Sequence, residues 1–130
     1  MSKITSYKEL DIWAKSIQLV KEVYKVTNSF PDSEKFGLTS QIRRCTISIP
    51  SNIAEGWGRN KRRSFAHFLS ISRGSLFELE AQICIAKELN FISNGNETID
   101  SLIFELNKMI SSLVTNIERS LDSKDESSNF

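Results

Sequence analysis

The sequence has few of the residues from which most catalytic and metal sites are built. It contains two cysteines, two prolines and one histidine in 130 residues, and no apolar run approaches the ~20 residues of a membrane-spanning helix. Cys45 and Cys84 lie within apolar helical patterns, away from histidine or acidic clusters, and no secretory apolar segment precedes Tyr7. We therefore expect reduced core thiols in a cytoplasmic protein without a disulfide, metal site, cofactor or membrane span.

The length and composition indicate one folded unit. A chain of 130 residues is the size of one ordinary domain and leaves no room for a second core. We assign the folded domain to residues 1–121. Residues 122–130 are rich in Ser, Asp and Glu and have little to bury, so we predict a disordered tail.

Apolar residues recur at steps of three and four in four segments, the spacing that places side chains on one face of an α-helix. The four stripes are Leu10, Trp13, Ile17, Val20 and Tyr24; Leu38, Ile42, Cys45, Ile49 and Ile53; Phe65, Leu69, Ser72, Leu76, Leu79, Ile83 and Ala86; and Ile99, Ile103, Leu106, Ile110, Leu113, Ile117 and Leu121. The connections between them are short, and no segment alternates with period two. The sequence predicts an all-α fold, an up-down-up-down antiparallel four-helix bundle.

Turn and capping residues set the expected ends of these helices. Ser6 and Glu9 form a capping-box pattern at the start of the first helix. That helix is predicted to stop before Phe30 and Pro31, and the second at the stretch from Gly56 to Gly58. The polar cluster at residues 93–96 predicts the turn before the last helix.

Pro50 and Gly74 interrupt two of the helical stripes. Proline removes a backbone donor and crowds the carbonyl four residues before it, so we expect a kink at Pro50. The freed carbonyl of Thr46 would accept from water or from the hydroxyl of Thr46 or Ser51. Gly74 costs about 1 kcal/mol relative to alanine, and we expect another helix to approach closely there.

The net charge of +1 is the result of a strongly uneven distribution along the chain. Residues 41–73 hold seven basic groups and one acidic group, whereas residues 74–130 have an excess of six negative charges. Such a field attracts phosphate. We predict nucleic-acid contacts from Arg43, Arg44, Arg59, Lys61, Arg62, Arg63 and Arg73. In the alternative, these side chains are solvated or pair with acidic residues such as Glu78, Glu80 and Glu88.

The second helix has an outer face of small, weakly polar residues where Lys, Glu and Gln would normally face solvent. This face consists of Ser40, Arg44, Ile47, Ser48, Ser51, Ala54 and Glu55. We predict that it packs against another copy of the chain; alternatively it faces water, or the helix is buried on two sides of its own bundle. The neighbouring Ser48, Ser51, Asn52 and Glu55 provide too few carboxylates for a cation site. We interpret that group as hydrogen bonding around the proline and as part of the interface.

Three strings resemble one protein family. Residues 36–44 read FGLTSQIRR, residues 48–56 read SIPSNIAEG and residues 74–80 read GSLFELE. Over about residues 6–92 the chain resembles the small four-helix bundle proteins first noticed as open reading frames in intervening sequences of bacterial 23S ribosomal RNA genes. Cys45 replaces a small residue of that pattern.

The resemblance implies a homo-oligomer, by analogy a ring of five, in which the basic surfaces of neighbouring bundles combine. It implies no enzymatic activity. A related group of ring-forming proteins assists the reverse transcriptase of diversity-generating retroelements and binds nucleic acid.

Together, residues and resemblance favour a non-enzymatic oligomer that binds RNA or other nucleic acid through its basic segment. The alternative is a protein-binding adaptor or scaffold without nucleic-acid affinity. A helical ribonuclease using Arg62 and His67 is the third hypothesis, but no nucleophile, second base or orienting carboxylate lies near them in the sequence. Trp57 either stacks on a base or, as we favour, closes the end of the bundle.

Overall fold

The computed structural model describes residues 3–93 and 97–123. Four α-helices account for most of this part of the chain: α1 (Asp11–Thr27), α2 (Leu38–Gly58), α3 (Arg62–Glu88) and α4 (Glu97–Ser123). Two 3-10 turns, Tyr7–Glu9 and Asp32–Glu34, precede α1 and α2, and no strand occurs among the described residues. The all-α four-helix prediction is confirmed. None of these helices has the length and apolar character that crossing a membrane requires.

Each helix packs on two others, α1 and α3 both lying against α2 and α4. Among the hydrogen bonds that connect α2 to α3, one joins Cys45 to Ser75 and another joins Ile49 to Ser72. The residue number therefore rises along α2 as it falls along α3. Side-chain bonds between α3 and α4 behave in the same way. These two pairs of neighbours are therefore antiparallel. α2 has two helical neighbours like every other helix and is not a central one.

The N-terminal cap acts on the first 3-10 turn and not on α1. Ser6 Oγ accepts from the Lys8 N–H at 3.2 Å, and Glu9 Oε1 accepts from the backbone N–H and hydroxyl of Thr5. These bonds from Thr5 hold the pKa of the Glu9 carboxyl below its ordinary value. Leu10 then adopts an extended conformation, and α1 begins only at Asp11.

The predicted helix ends at Phe30 and at Gly56 to Gly58 are confirmed to within a few residues. α3 stops where Asn90 takes a left-handed conformation, φ 62°, and the Phe91 N–H donates to Ala86 O at 2.9 Å. α4 includes Asp122 and Ser123, two residues that we had assigned to the disordered tail. Residues 124–130 of that tail and residues 94–96 of the predicted turn lie outside the described part of the chain.

The core stripes of three helices are largely as predicted, and that of α1 is wrong by one position. On α1 the buried residues are Ile12, Ser16, Leu19, Val23 and Thr27. The predicted stripe borders this face: Leu10 is buried as predicted but precedes α1, and the other four members are only half-buried. Apolar residues cover a wide arc of α1, and two hydroxyls occupy its core face because each donates to a carbonyl of its own helix, Trp13 O and Val23 O.

On the other three helices almost every predicted core residue is buried. The seven stripe residues of α3 are all buried, and those of α2 and α4 deviate only at Leu38, Leu113 and Leu121, which are half-buried. Val114 takes the buried place beside Leu113. The longer stripes of α3 and α4 extend over more turns, and so they fix the rotation of the helix more closely than the short stripe of α1 does.

α2 continues as one helix through Pro50 to Gly58. The Thr46 hydroxyl donates to Ile42 O at 2.7 Å, so it does not satisfy its own carbonyl as we had proposed. A hydroxyl from the neighbouring helix lies close to the proline, since Ser72 Oγ donates to Ile49 O at 2.9 Å. The polar groups around Pro50 therefore connect α2 to α3.

The close approach of two helices occurs at Gly56 and not at Gly74. A Cβ atom on Gly56 would lie 2.7 Å from Phe68 Cβ and 3.2 Å from Phe65 Cδ1, whereas one on Gly74 would meet no atom within 4 Å. Gly74 is exposed on the outer side of α3. The prediction for Gly74 was wrong because an interior glycine lowers helix propensity wherever it faces, and only the packing reveals which glycine is required.

Alanine at these two glycines is expected to have opposite effects on stability. Gly56→Ala should lower the free energy of unfolding by about 1–3 kcal/mol because its methyl group overlaps Phe68. Gly74→Ala should raise it by roughly 0.5–1 kcal/mol because helix propensity improves without a clash. Urea unfolding followed by circular dichroism measures both. A loss of stability in Gly74→Ala would contradict the open environment described here.

Candidate nucleic-acid interface and the outer face of α2

A three-residue turn places four basic residues at one end of the bundle. α2 ends at Gly58 and α3 begins at Arg62, and between them Asn60 takes a left-handed conformation with φ 58°, which asparagine tolerates well. We call Arg59, Lys61, Arg62 and Arg63 the basic end. Lys61 is the N-cap of α3 and its side chain makes no capping bond. The first N–H groups of α3 thus add a partial positive charge beside the basic side chains.

Arg59 is held in place by one carboxylate and one aromatic ring. Its Nε and Nη2 donate to Glu55 Oε2 at 3.0 and 2.8 Å, and its guanidinium lies 5.1 Å from the centroid of Phe68. Both partners of the ion pair are about half exposed. Because exposed pairs contribute little energy, the positive charge of Arg59 stays accessible to a competing phosphate.

Arg62, Arg63 and Arg73 follow the seam between α3 and α4. Arg62 Nη1 donates to Ser120 Oγ, and Arg73 Nη1 is 3.4 Å from Ser111 Oγ. Arg63 is exposed and lines a recess that also contains residues of α4. The structure therefore brings three of the seven predicted residues onto one side of α3.

Arg43 and Arg44 lie elsewhere. Arg43 Nε donates to Thr27 Oγ1 at 2.9 Å and Nη2 to Asn28 Oδ1 at 3.1 Å, and the guanidinium lies 4.4 Å from the centroid of Tyr24. Its donors bind the C-terminal end of α1, where the helix dipole favours a cation. Arg43 thus joins two helices. Arg44 is exposed on α2 and lines a groove together with Glu78.

Trp57 is half-buried and packs against the core near the basic end. Its ring centroid lies 5.9 Å from that of Phe65 at an interplanar angle of 77°. Edge-to-face packing of this kind stabilises a closed bundle end. The geometry favours our interpretation of Trp57 as a hydrophobic plug.

The outer face predicted for α2 is only partly free. Arg44, Ile47, Ser51 and Glu55 are exposed, and the other three members are half-buried. Ser48 Oγ donates to Cys45 O at 2.6 Å and lies 2.7 Å from Ser75 Oγ of α3. Asn52 Nδ2 donates to Ser48 O at 2.8 Å, whereas Glu55 binds Arg59. Among the described residues no group of three acidic, histidine or cysteine side chains could hold a metal ion.

A groove of about 450 Å³ runs between α2 and α3 beside this face. Its lining includes Arg44, Cys45, Ser48, Glu78 and Gln82. Gln82 is 9% exposed, and its Oε1 accepts no hydrogen bond from any residue that the structure describes. A buried acceptor without a donor is costly. This groove therefore contains a buried side-chain oxygen whose hydrogen bonding is incomplete within the described part of the chain.

The lone histidine has carboxylate neighbours that the sequence did not indicate. His67 is exposed and lines the same recess as Arg63, Glu118 and Asp122. We had expected no carboxylate near it, because these two residues lie about fifty positions further along the chain. The His67 ring contacts the Phe68 ring, with 5.3 Å between the two centroids. This contact involves no hydrogen bond to a ring nitrogen. The recess thus brings together charged groups of both signs, the imidazole of His67 and the hydroxyl of Ser70.

A sequence profile of the family described as "23S rRNA-intervening sequence protein" matches residues 8–112 of the chain. The chain belongs to this family. No curated protein matches it at a significant level. The family name records where such genes are found and states no activity, and the link to retroelement accessory proteins stays a prediction.

The strings that resemble the family meet one another in the fold. Residues 48–56 lie on α2 and residues 74–80 on α3, and the bond between Ser48 and Ser75 joins them. Two of the strings that resemble the family thus contact each other beside the groove between α2 and α3. The basic end lies at the turn that follows residues 48–56.

The two thiols differ in environment. Cys45 is buried in the groove, with its Sγ 3.1 Å from Ser75 O and 3.8 Å from Glu78 Oε2. Desolvation and the neighbouring carboxylate raise the pKa of Cys45 to about 12. Cys84 is exposed, which corrects the prediction of a second core thiol. The reason is geometric: Ile83 takes the core position of that turn, and the next residue points about 100° away.

These environments predict the reactivity of each thiol and one pH effect. A disulfide reagent at pH 8 should label Cys84 alone in the native protein, and Cys84→Ala should react only after denaturation. Above about pH 8.5 the unfolded Cys45 thiol ionises while the folded one stays protonated. The unfolded state then binds fewer protons, so stability falls as pH rises from about 8.5 toward 12.

Cys45→Ala isolates the contribution of that thiol, because all other alkaline titrations are shared with the parent protein. The fall in unfolding free energy between pH 8 and pH 10.5 should be smaller in the variant than in the parent protein. Equal pH dependence in both proteins would show that Cys45 does not couple to stability.

Proposed function

We propose that this protein is a non-enzymatic, self-associating bundle that binds RNA or other nucleic acid through the basic end. The observation that carries the proposal is the convergence of Arg59, Lys61, Arg62 and Arg63 at the turn between α2 and α3. By family resemblance, the assembly would be a ring of five in which these surfaces combine. Multiplying the basic end in one assembly strengthens the field that attracts a polyanion.

Two further features support phosphate as the ligand of the basic end. The uncapped N-terminus of α3 directs backbone N–H groups toward the same region. Arg59 and Lys61 are exposed at the turn, next to those groups. Contacts of this type bind the backbone and carry little sequence information, so affinity should depend strongly on salt.

The basic end can be tested by fluorescence anisotropy with a labelled single-stranded RNA at 50 and 200 mM salt. Four phosphate contacts to a single strand predict that affinity falls roughly 50-fold over this range. Replacement of Arg59, Lys61, Arg62 and Arg63 by serine should abolish measurable binding at both salt concentrations.

A matched control removes four other exposed positive charges, Lys8, Lys21, Lys25 and Lys35. This variant has the same net charge as the first and should retain most of the affinity. An equal loss of RNA affinity in both variants would show that binding depends on net charge alone and not on the basic end. No binding by the parent protein at either salt concentration would refute the nucleic-acid proposal.

Self-association through α2 is supported by the groove and by the residues that flank it. Gln82 Oε1 has no donor among the residues that the structure describes, Ile47 is 42% exposed, and Ile71 is 41% exposed on α3. Ile71 lies four residues before Ser75 and therefore on the same face. A second copy seated here would bury the isoleucines and could donate to Gln82. We include α3 in the interface for this reason, although the sequence pointed to α2 alone.

Light scattering after gel filtration tests this surface. The parent protein should have a mass several times the 14.8 kDa of one chain. Ile47→Glu should reduce it to a single chain, because the carboxylate would be buried without a partner. Ser101→Glu, on the exposed side of α4, should leave the mass unchanged. A monomeric parent protein would refute the assembly.

A replacement at Gln82 tests whether its side chain binds a second copy of the chain or is left without a hydrogen-bond donor. Gln82→Met removes the polar amide at similar volume. If a second copy donates to Oε1, this variant should dissociate more readily than the parent. If no donor exists, the variant should be more stable and associate normally.

A protein-binding adaptor without nucleic-acid affinity is the second candidate. The observation in its favour is a pair of exposed rings, Phe77 at 54% and Phe104 at 65%, on α3 and α4. They border a narrow cleft together with Leu76 and Ile103. Exposed aromatic rings of this kind are typical of protein contacts. If the protein binds no RNA in these titrations, the protein-binding adaptor is the remaining interpretation.

A further inference from the structure

A recess of about 570 Å³ opens between the N-terminal part of α3 and the C-terminal part of α4, directly beside the basic end. Arg63 and His67 line it from α3, Glu118 and Asp122 line it from α4, and Ala66 and Leu121 provide apolar surface. We propose that this recess binds a guanine base of the single-stranded RNA whose phosphates contact the basic end. The inference rests on the proposed RNA binding and adds base selectivity to it.

The charges of the recess do not suit phosphate alone. Arg63 is suited to a phosphate oxygen, but Glu118 and Asp122 would repel one, since all three line the same cavity. A nucleotide combines an anionic phosphate with a base edge that donates hydrogen bonds. One guanidinium and two carboxylates that line the same recess therefore match a nucleotide better than a bare anion.

Among the four RNA bases, guanine fits a carboxylate best. Its Watson–Crick edge presents two adjacent donors, N1–H and the N2 amino group, which match the two oxygens of one carboxylate. Adenine and cytosine present a single amino donor beside an acceptor. Uracil presents a single N3–H donor between two carbonyl oxygens, which a carboxylate repels. Proteins that read single strands hydrogen-bond this edge of unstacked bases.

The remaining lining suits the flat faces of a base. Ala66 is 8% exposed and Leu121 is half-buried, so both belong to the margin of the core. The His67 ring stands next to them, in contact with Phe68, and histidine is among the side chains on which RNA bases stack. The volume lies within the range of about 300–1,000 Å³ that is usual for small-molecule sites.

Anisotropy titrations with three oligonucleotides test the selectivity. Each is a twelve-residue uridine strand in which two central positions are guanosine, inosine or adenosine. Inosine lacks the N2 amino group and so removes one of the two donors. We expect the guanosine strand to bind about tenfold more tightly than the adenosine strand, with inosine between them.

The double variant Glu118→Gln and Asp122→Asn separates base recognition from electrostatics. If the carboxylates only repel RNA, their removal should strengthen binding of all three strands equally. Under our proposal it should strengthen binding of the adenosine strand and reduce the preference for guanosine to less than twofold. A control, Glu80→Gln with Glu88→Gln, removes two exposed carboxylates of α3 elsewhere and should keep the preference.

The single histidine gives a second measurement. The imidazole proton signals of His67 should shift on binding the guanosine strand and change much less with the adenosine strand. Equal affinity for the three strands, or a His67 signal that does not respond to the bound guanosine strand, would overturn the inference while leaving RNA binding intact. Absence of binding to every strand would refute the proposed function and the inference together.

Discussion

The packing of α2 on α3 near Gly56 is the contact on which the arrangement of the charged surface depends. The missing side chain of Gly56 allows Phe65 and Phe68 of α3 to lie against the α2 backbone. Those two rings in turn contact Trp57 and Arg59. The last turn of α2 is thereby fixed to the first turns of α3, and the basic residues of the connecting turn have few ways to move apart.

Further along the same pair of helices, hydrogen bonds between polar groups hold α2 against α3. Ser72 donates to Ile49 O beside Pro50, and Ser48 bonds to Ser75. Small hydroxyl residues permit a close approach and satisfy each other at the same time. The groove next to them is also lined by Gln82, whose Oε1 has no donor within the described part of the chain. Hydrogen bonds thus join α2 to α3 along this contact, and we expect a second copy of the chain to bind near Gln82.

The basic segment of the sequence separates into three groups in the fold. Arg43 fastens the end of α1, Arg44 borders the groove, and the remaining five follow the turn and the α3–α4 seam. A charge count along the chain cannot distinguish these roles, because an arginine that joins two helices and one that faces solvent have the same charge. The count is informative about the field and uninformative about which side chains are available to a ligand.

The sequence by itself determined the number of helices, their ends to within a few residues, three of the four core stripes and the family. These features depend on local spacing, on turn residues and on strings that can be read without the fold. The tertiary structure decided the rotation of α1, the exposure of Cys84, the close approach at Gly56 instead of Gly74, and the placement of His67, Glu118 and Asp122 around one recess. Each of these depends on how one helix is turned toward another, and residues that are distant in sequence determine that rotation.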